Sequence, residues 1–125
     1  SVDKYHPIRV PHITWFPQET PTALEHEWAA RAGNPVDVLI THDCPDKGIV
    51  LPPNPGFPED IIAESNTFRR KLDDIVTATS PRTVFYGHHH ENVQDRTVNG
   101  VRYYGLGGDR QGAQSNLFPL NIEDL

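Results

Sequence analysis

Two short apolar segments that end in histidine decide the fold of this chain. The first is Val36-Asp37-Val38-Leu39-Ile40-Thr41-His42, and the second is Thr83-Val84-Phe85-Tyr86-Gly87-His88-His89-His90. Runs of β-branched and aromatic residues of this length predict buried strands. Both histidine groups are therefore expected at the carboxyl edge of one sheet, where open α/β sheets bind their ligands.

Two amphipathic helices are predicted on either side of the first strand. One begins at Thr20-Pro21, where threonine can cap and proline can open a helix, and ends at Gly33. Its apolar residues recur every four positions and predict a narrow buried stripe at Leu24, Trp28 and Ala32. The other helix begins at the acidic Glu59 and ends at Ser80-Pro81. Its basic run, residues 69–71, lies off the apolar stripe and predicts a solvated face.

The rest of the chain predicts loops and a hairpin. Residues 43–58 contain five prolines, which exclude a regular element and predict a functional loop that borders the substrate. Asn99-Gly100 predicts a type I′ turn between strands at 93–97 and 101–106. A last strand is predicted over residues 117–122. This order of elements predicts an α/β fold, a layered sandwich whose mixed sheet carries helices on one face.

Size and composition limit the classes of function. The chain has 125 residues and a mass of 14.1 kDa, which suits a single domain over residues 1–125. A net charge of −6 argues against a surface that neutralises many phosphates, so nucleic acid is considered only as a substrate. The single cysteine, Cys44, excludes an intrachain disulfide. Since no apolar run is long enough to cross a membrane, a cytoplasmic protein is expected.

His42, His88 and His90 are predicted metal ligands. Side chains alternate along an extended segment, so His88 and His90 are expected to point one way and His89 another. Imidazole is a common ligand for transition metals, and neighbouring strand ends would bring His42 and His88 together. For His42 alone, an ordinary polar residue at a strand end is the better interpretation. The three histidines together favour a metal site.

These motifs resemble those of a known enzyme family. Val38-Leu39-Ile40-Thr41-His42-Asp43, followed by Tyr86-Gly87-His88-His89-His90, is similar to the last two motifs of the calcineurin-like metallophosphoesterases, and the resemblance spans most of residues 15–108. It implies a phosphoesterase, acting on phosphodiesters, with two ions of Mn, Zn or Fe. It also implies that His42 and His88 bind one metal ion and that His90 binds the other.

The earlier motifs of that family have no counterpart in this sequence. Residues 3–6 have the wrong spacing for Asp-x-His, Gly33-Asn34 is followed by proline where histidine is required, and Gly108-Asp109 comes too late. The bridging aspartate and the remaining ligands are therefore missing, and no catalytic residue is assigned. We expect the C-terminal half of a longer phosphoesterase, inactive or weakly active alone, whose partner is the missing N-terminal half.

Two neighbours of the predicted ligands are further candidates. Asp43 is expected either to orient an imidazole by a hydrogen bond or simply to open a turn. His89 is expected either to contact the substrate or to face solvent. Cys44 lacks a basic neighbour in sequence, so a small, partly buried thiol is preferred to a nucleophile.

Two alternative functions remain at this level. The chain could be a non-catalytic module that binds one metal ion and associates with itself as a homodimer or higher oligomer, because half of a sandwich leaves apolar area and strand edges uncovered. It could also be a complete three-histidine zinc hydrolase, although no general base is found for that chemistry.

Overall fold

The computed structural model describes residues 10, 12–13, 21–32, 34–51, 56–89, 94–108, 112, 116–121 and 123. Two helices and four strands form the regular part of this structure, together with one short 3-10 turn. In chain order they are α1 (Ala23–Arg31), β1 (Val38–Thr41), the 3-10 turn (Asp46–Gly48), α2 (Glu59–Thr79), β2 (Thr83–Tyr86), β3 (Gln94–Val98) and β4 (Val101–Gly105). None of the described helices is both long and apolar enough to cross a membrane.

The four strands form one mixed sheet in the order β1-β2-β4-β3. β1 pairs with β2, and β2 with β4, in parallel, whereas β3 and β4 are antiparallel. Asn99 and Gly100 join β3 to β4 with φ angles of 52° and 83°, as expected for a hairpin turn with two left-handed residues. The predicted α/β fold with a mixed sheet is confirmed.

The core lies between one face of the sheet, helix α2 and the start of the proline-rich loop. Val84 of β2 and Tyr103 of β4 occupy neighbouring register positions and pack with Val76 of α2. The loop adds Cys44 and Ile49 to the same cluster. The first part of the loop is therefore a piece of the core, because its apolar residues fill the space beneath α2. Residues 52–55 of the predicted substrate loop lie outside the described residues.

Helix α1 begins later and packs differently from the prediction. Thr22 is the N-cap: its hydroxyl accepts from the Glu25 amide, and its own amide donates to the Glu25 carboxylate at 2.7 Å. Thr20, the predicted cap, lies outside the described residues. The predicted buried stripe is wrong, since Leu24 and Trp28 are each 75% exposed. α1 packs against α2 rather than the sheet, and His26 makes an edge-on contact with Phe68 at 5.5 Å between ring centroids.

Helix α2 ends as predicted, at Ser80, whose left-handed conformation closes the last turn before Pro81. The predicted solvated face is wrong for Arg69, which is only 6% exposed. Arg69 lies on the buried stripe of α2, and its Nη2 donates to Asn66 Oδ1 at 2.7 Å and to Asp46 Oδ1 at 3.2 Å. Its long side chain thus anchors the 3-10 turn to the helix.

The predicted strand over residues 117–122 is not observed in its described part. Residues 117–121 have no regular secondary structure, and residue 122 lies outside the described residues. Phe118 instead packs its ring against Phe85 and Tyr104, at centroid distances of 4.9 and 4.5 Å, on the sheet face opposite Val84. The following residue is Pro119, which cannot donate to a strand ladder, so this segment packs through a side chain.

We predict that Gly48→Ala destabilises the protein by about 1–3 kcal/mol. A Cβ at position 48 would lie 2.7 Å from Tyr103 Cγ and 2.8 Å from Cys44 Sγ. Both neighbours are almost completely buried and have no room to move. Urea unfolding measures the effect. Gly112→Ala is the matched control, because none of the described residues lies within 4 Å of a Cβ there, and a change below about 0.5 kcal/mol is expected. Equal stability of the two variants would contradict this packing.

We predict that His26→Phe stabilises the protein, and more so at acidic pH. Burial, together with the charge of Lys71, lowers the pKa of His26, and neither ring nitrogen has a partner among the described residues. Because the unfolded chain then binds a proton more readily, His26 costs stability as the pH falls below about 6.5. Phenylalanine keeps the contact with Phe68 and removes the unpaired nitrogens, which is expected to add about 1 kcal/mol at neutral pH.

Urea unfolding of wild type and His26→Phe at pH 7.5 and pH 5 measures both effects. The difference in the free energy of unfolding is expected to be larger at pH 5. A difference that stays constant between the two pH values would contradict the lowered pKa.

Candidate functional site

The parallel pairing of β1 with β2 places the two predicted histidine groups side by side. The last pair of the ladder is Thr41 with Tyr86, and the Gly87 amide then donates to the His42 carbonyl at 3.1 Å. One residue further, His42 Nε2 lies 3.0 Å from His88 Nδ1, with the ring centroids 4.9 Å apart. Two imidazoles from separate strands thus converge at the carboxyl edge of the sheet.

His88 occupies a tight turn rather than an extended segment. Its φ is +68°, and the His89 amide donates to the Gly87 carbonyl at 2.8 Å, which closes a γ-turn around His88. The predicted alternation of side chains therefore does not apply at this position. His88 and His89 do point to different partners, but the turn is the reason. His90 lies outside the described residues, so its role as a ligand stays a prediction.

Asp43 and His89 form a second pair beside the first. His89 Nε2 lies 2.9 Å from Asp43 Oδ1, and the Cys44 amide donates to the same oxygen at 2.7 Å. Asp43 is 3% exposed and the His89 side chain 16%. Of the two roles weighed for His89, facing solvent does not describe this position, since the ring is mostly buried against a carboxylate. A contact of His89 with the substrate stays a prediction. Asp43 does orient an imidazole, but that imidazole is His89 and not a predicted ligand.

The electrostatics of Asp43 fix the direction of its hydrogen bond with His89. Burial raises the pKa of Asp43, but the hydrogen bond from His89, the nearby charges of His88 and His89 and the Cys44 amide outweigh it, and the net pKa lies below the usual value. The carboxylate is therefore ionised at neutral pH and can only accept. It follows that His89 Nε2 carries a proton and donates it to Asp43.

The backbone strain at His88 can be compared with the strength of this pair. A non-glycine residue at positive φ costs about 1–3 kcal/mol. A hydrogen bond to a charged group contributes about 1.5–3 kcal/mol. The two magnitudes are similar, so the Asp43–His89 bond is strong enough to offset the turn that it adjoins.

Cys44 has a structural role in this region. The residue is fully buried and packs in the core beside Val84 and Tyr86. Burial strongly raises the pKa of its thiol, which keeps the sulfur protonated and unreactive. Cys44 was expected to be a small, partly buried thiol, and in the structure it is fully buried.

The described residues contain two converging metal-ligand candidates rather than three. Within the parts of the chain that the structure describes, no group of three or more His, Cys, Asp or Glu side chains is arranged to hold a metal ion. Asp43 directly follows His42 in the sequence, but its Oδ1 is shared by His89 and the Cys44 amide. The pairing of Asp43 with His89 was not predicted, although each residue directly follows a predicted ligand.

Comparison with known proteins adds no family to these observations. No protein-family model, curated protein or solved structure matches this chain. The geometry at the edge of the sheet and the chemistry of its side chains therefore carry the functional argument.

Proposed function

We propose that this chain carries part of the metal centre of a metal-dependent phosphoesterase that acts on phosphodiesters, with His42 and His88 as ligands of one metal ion. The observation that carries the proposal is the 3.0 Å separation of His42 Nε2 and His88 Nδ1 at the carboxyl edge of parallel strands. Open α/β sheets bind their ligands at this edge.

The two histidines fit a transition-metal ion. Bonds from Zn to histidine nitrogen are about 2.0–2.1 Å long, so two nitrogens that share one tetrahedral ion lie about 3.3 Å apart. The His42–His88 separation of 3.0 Å is close to that distance. Both ligand atoms are imidazole nitrogens. This ligand type suits Zn and Fe, whereas Mn prefers oxygen ligands. A metal ion of this class would replace the contact between the two rings.

Gly87 leaves space for a substrate beside this pair. Among the described residues, a Cβ at position 87 would meet only the His42 carbonyl, at 4.0 Å. Because glycine has no side chain, a phosphodiester would approach the backbone between the two histidines closely. A bound divalent ion there would polarise the phosphoryl oxygens and lower the pKa of the attacking water. The contribution of this chain is to bind the ion through two imidazoles and to leave the approach open.

The remaining ligands of the proposed centre must come from elsewhere. A two-metal site needs a carboxylate that bridges the ions. Asp43, the carboxylate next to His42 in the sequence, is already hydrogen-bonded to His89 and is not proposed for that role. We propose His90 as a further ligand and a second, carboxylate-bearing segment, the N-terminal half of a phosphoesterase, as the partner. Cyclic nucleotides and nucleic acid are the substrate classes considered, and little or no turnover is expected from this chain alone.

We predict that His42→Ala and His88→Ala each weaken binding of Mn²⁺ or Zn²⁺ by at least about 100-fold, more than the loss of an outer hydrogen-bond partner costs. Isothermal titration calorimetry measures the affinity. His26→Phe is the matched control, because it removes a histidine of α1 and is expected to leave metal binding unchanged. Metal binding that persists in both alanine variants would overturn the proposed site.

Hydrolysis of bis(p-nitrophenyl) phosphate with added Mn²⁺ gives a second readout of the same variants. Weak or absent turnover by the wild-type chain is expected, since the bridging carboxylate is not among the ligands proposed here. Robust turnover that both alanine variants abolish would show that the site is complete, and the proposed need for a partner segment would be wrong.

A second candidate function, self-association, is favoured by exposed apolar residues. Ile40 lies in β1, an edge strand of the sheet that the described residues form, and is 77% exposed. An apolar residue on an uncovered strand edge favours pairing with another chain. We therefore propose that the isolated chain forms a dimer through β1.

We predict that light scattering at tens of micromolar finds a dimer for the wild-type chain and a monomer for Ile40→Lys. A lysine on an edge strand opposes pairing with a second strand. Leu24→Lys is the matched control, because Leu24 is equally exposed, at 75%, but lies on α1, and this variant is expected to remain a dimer. A monomeric wild type, or the same effect of both substitutions, would contradict association through β1.

A further inference from the structure

Two pairs of side chains continue the contact between β1 and β2 beyond the ends of the strands. Within the ladder, paired residues are 45 positions apart, as with Thr41 and Tyr86. His42–His88 and Asp43–His89 are each 46 positions apart. The γ-turn at His88 accounts for the additional residue. The His42–His88 pair and the Asp43–His89 pair therefore follow one another beyond the ladder, and the spacing of both depends on the same turn.

The Asp43–His89 pair is connected to the core. Asp43 Oδ1 accepts from the amide of Cys44, which is fully buried, and from His89 Nε2. His89 is also the residue whose amide closes the γ-turn around His88. A single residue thus connects a buried carboxylate to the turn that presents the His88 ring.

The contact between His42 and His88 is more open to solvent than the contact between Asp43 and His89. His42 is exposed and His88 only half-buried, whereas Asp43 is buried. Water competes with an exposed contact more than with a buried pair. Of these two contacts, the one at His89 is therefore the stronger support for the turn at His88.

We propose that Asp43 and His89 are a positioning pair, which holds the turn at His88 so that Nδ1 of His88 faces Nε2 of His42 and both can bind one metal ion. This inference rests on the proposed metal-binding function. Neither Asp43 nor His89 contacts the metal ion in this arrangement; they act through His88.

The test uses the full chain and Co²⁺, whose visible absorption reports both affinity and coordination geometry. His89→Ala and Asp43→Ala are expected to weaken Co²⁺ binding by about 10–100-fold, as the loss of hydrogen-bond partners behind metal ligands does, and to change the Co²⁺ spectrum. His89→Gln is the conservative variant, because the glutamine amide can donate to Asp43 from nearly the same place, and it is expected to restore most of the affinity.

Asp95→Asn is the control. Asp95 of β3 pairs with Arg102 of β4 at 2.6 Å, on the side of the described sheet that is farthest from β1. Its loss is expected to leave Co²⁺ binding unchanged. Circular dichroism during thermal unfolding establishes that each variant is folded. If Asp43→Ala does not fold, the comparison of His89→Ala with His89→Gln decides the question.

Each outcome separates the inference from the proposed function. A wild-type chain that binds no Co²⁺ overturns the metal site itself. Co²⁺ binding that is lost in His88→Ala but unchanged in His89→Ala overturns the positioning pair and leaves the metal site standing. Loss in both His89→Ala and His89→Gln overturns positioning in favour of His89 as a direct ligand, since glutamine restores the hydrogen bond but not the imidazole.

Discussion

The parallel pairing of β1 with β2 is the constraint on which the rest of the structure depends. It brings together two segments that are far apart in sequence, and the bond from the Gly87 amide to the His42 carbonyl carries the pairing past the last ladder residues. After that point the segments that follow β1 and β2 diverge. The first enters the core at Cys44 and the second turns at His88. The histidines lie where the ladder ends, so the position of the candidate site follows from the sheet.

Buried charge is concentrated around the loop that follows β1. Asp43 begins the loop and accepts two hydrogen bonds, while Arg69 of α2 holds Asp46 in the 3-10 turn. Arg69 Nε and Nη1 are buried without a partner among the described residues, so this guanidinium is costly to bury. Removing one member of such a pair costs more than the pair contributes, because the other charge stays buried. These two contacts fix the loop at both ends of its buried part.

Local sequence signals predicted the elements whose causes are local. The strands, the Asn99-Gly100 turn and the end of α2 at Ser80 follow from residue preferences over a few positions. The burial of α1 did not follow, because its apolar stripe was expected to be buried, whereas α1 packs on α2 and leaves Trp28 exposed. Arg69 was misplaced for a similar reason. Its charge suggested solvent, but its position on the buried stripe of α2 decided its burial.

The same distinction between local and non-local causes applies to the candidate site. The approach of His42 to His88 was predictable, because it needs only two neighbouring parallel strands. The turn at His88 was not, because strand periodicity stops at Gly87 and nothing local requires a positive φ in a histidine. The pairing of Asp43 with His89 depends on that turn and was therefore missed as well.

The magnitudes indicate which contact maintains the turn at His88. A positive φ in a non-glycine residue costs about 1–3 kcal/mol. A neutral hydrogen bond between His42 and His88 contributes about 0.5–1.5 kcal/mol, and less where a ring is exposed to water. That contact alone is too weak to maintain the turn. The bond from His89 to the buried, ionised Asp43 belongs to the stronger class, at about 1.5–3 kcal/mol. This bond therefore supports the orientation of His88 without a bound ligand. Under the proposed function, the free energy of metal binding would not be needed to form the turn.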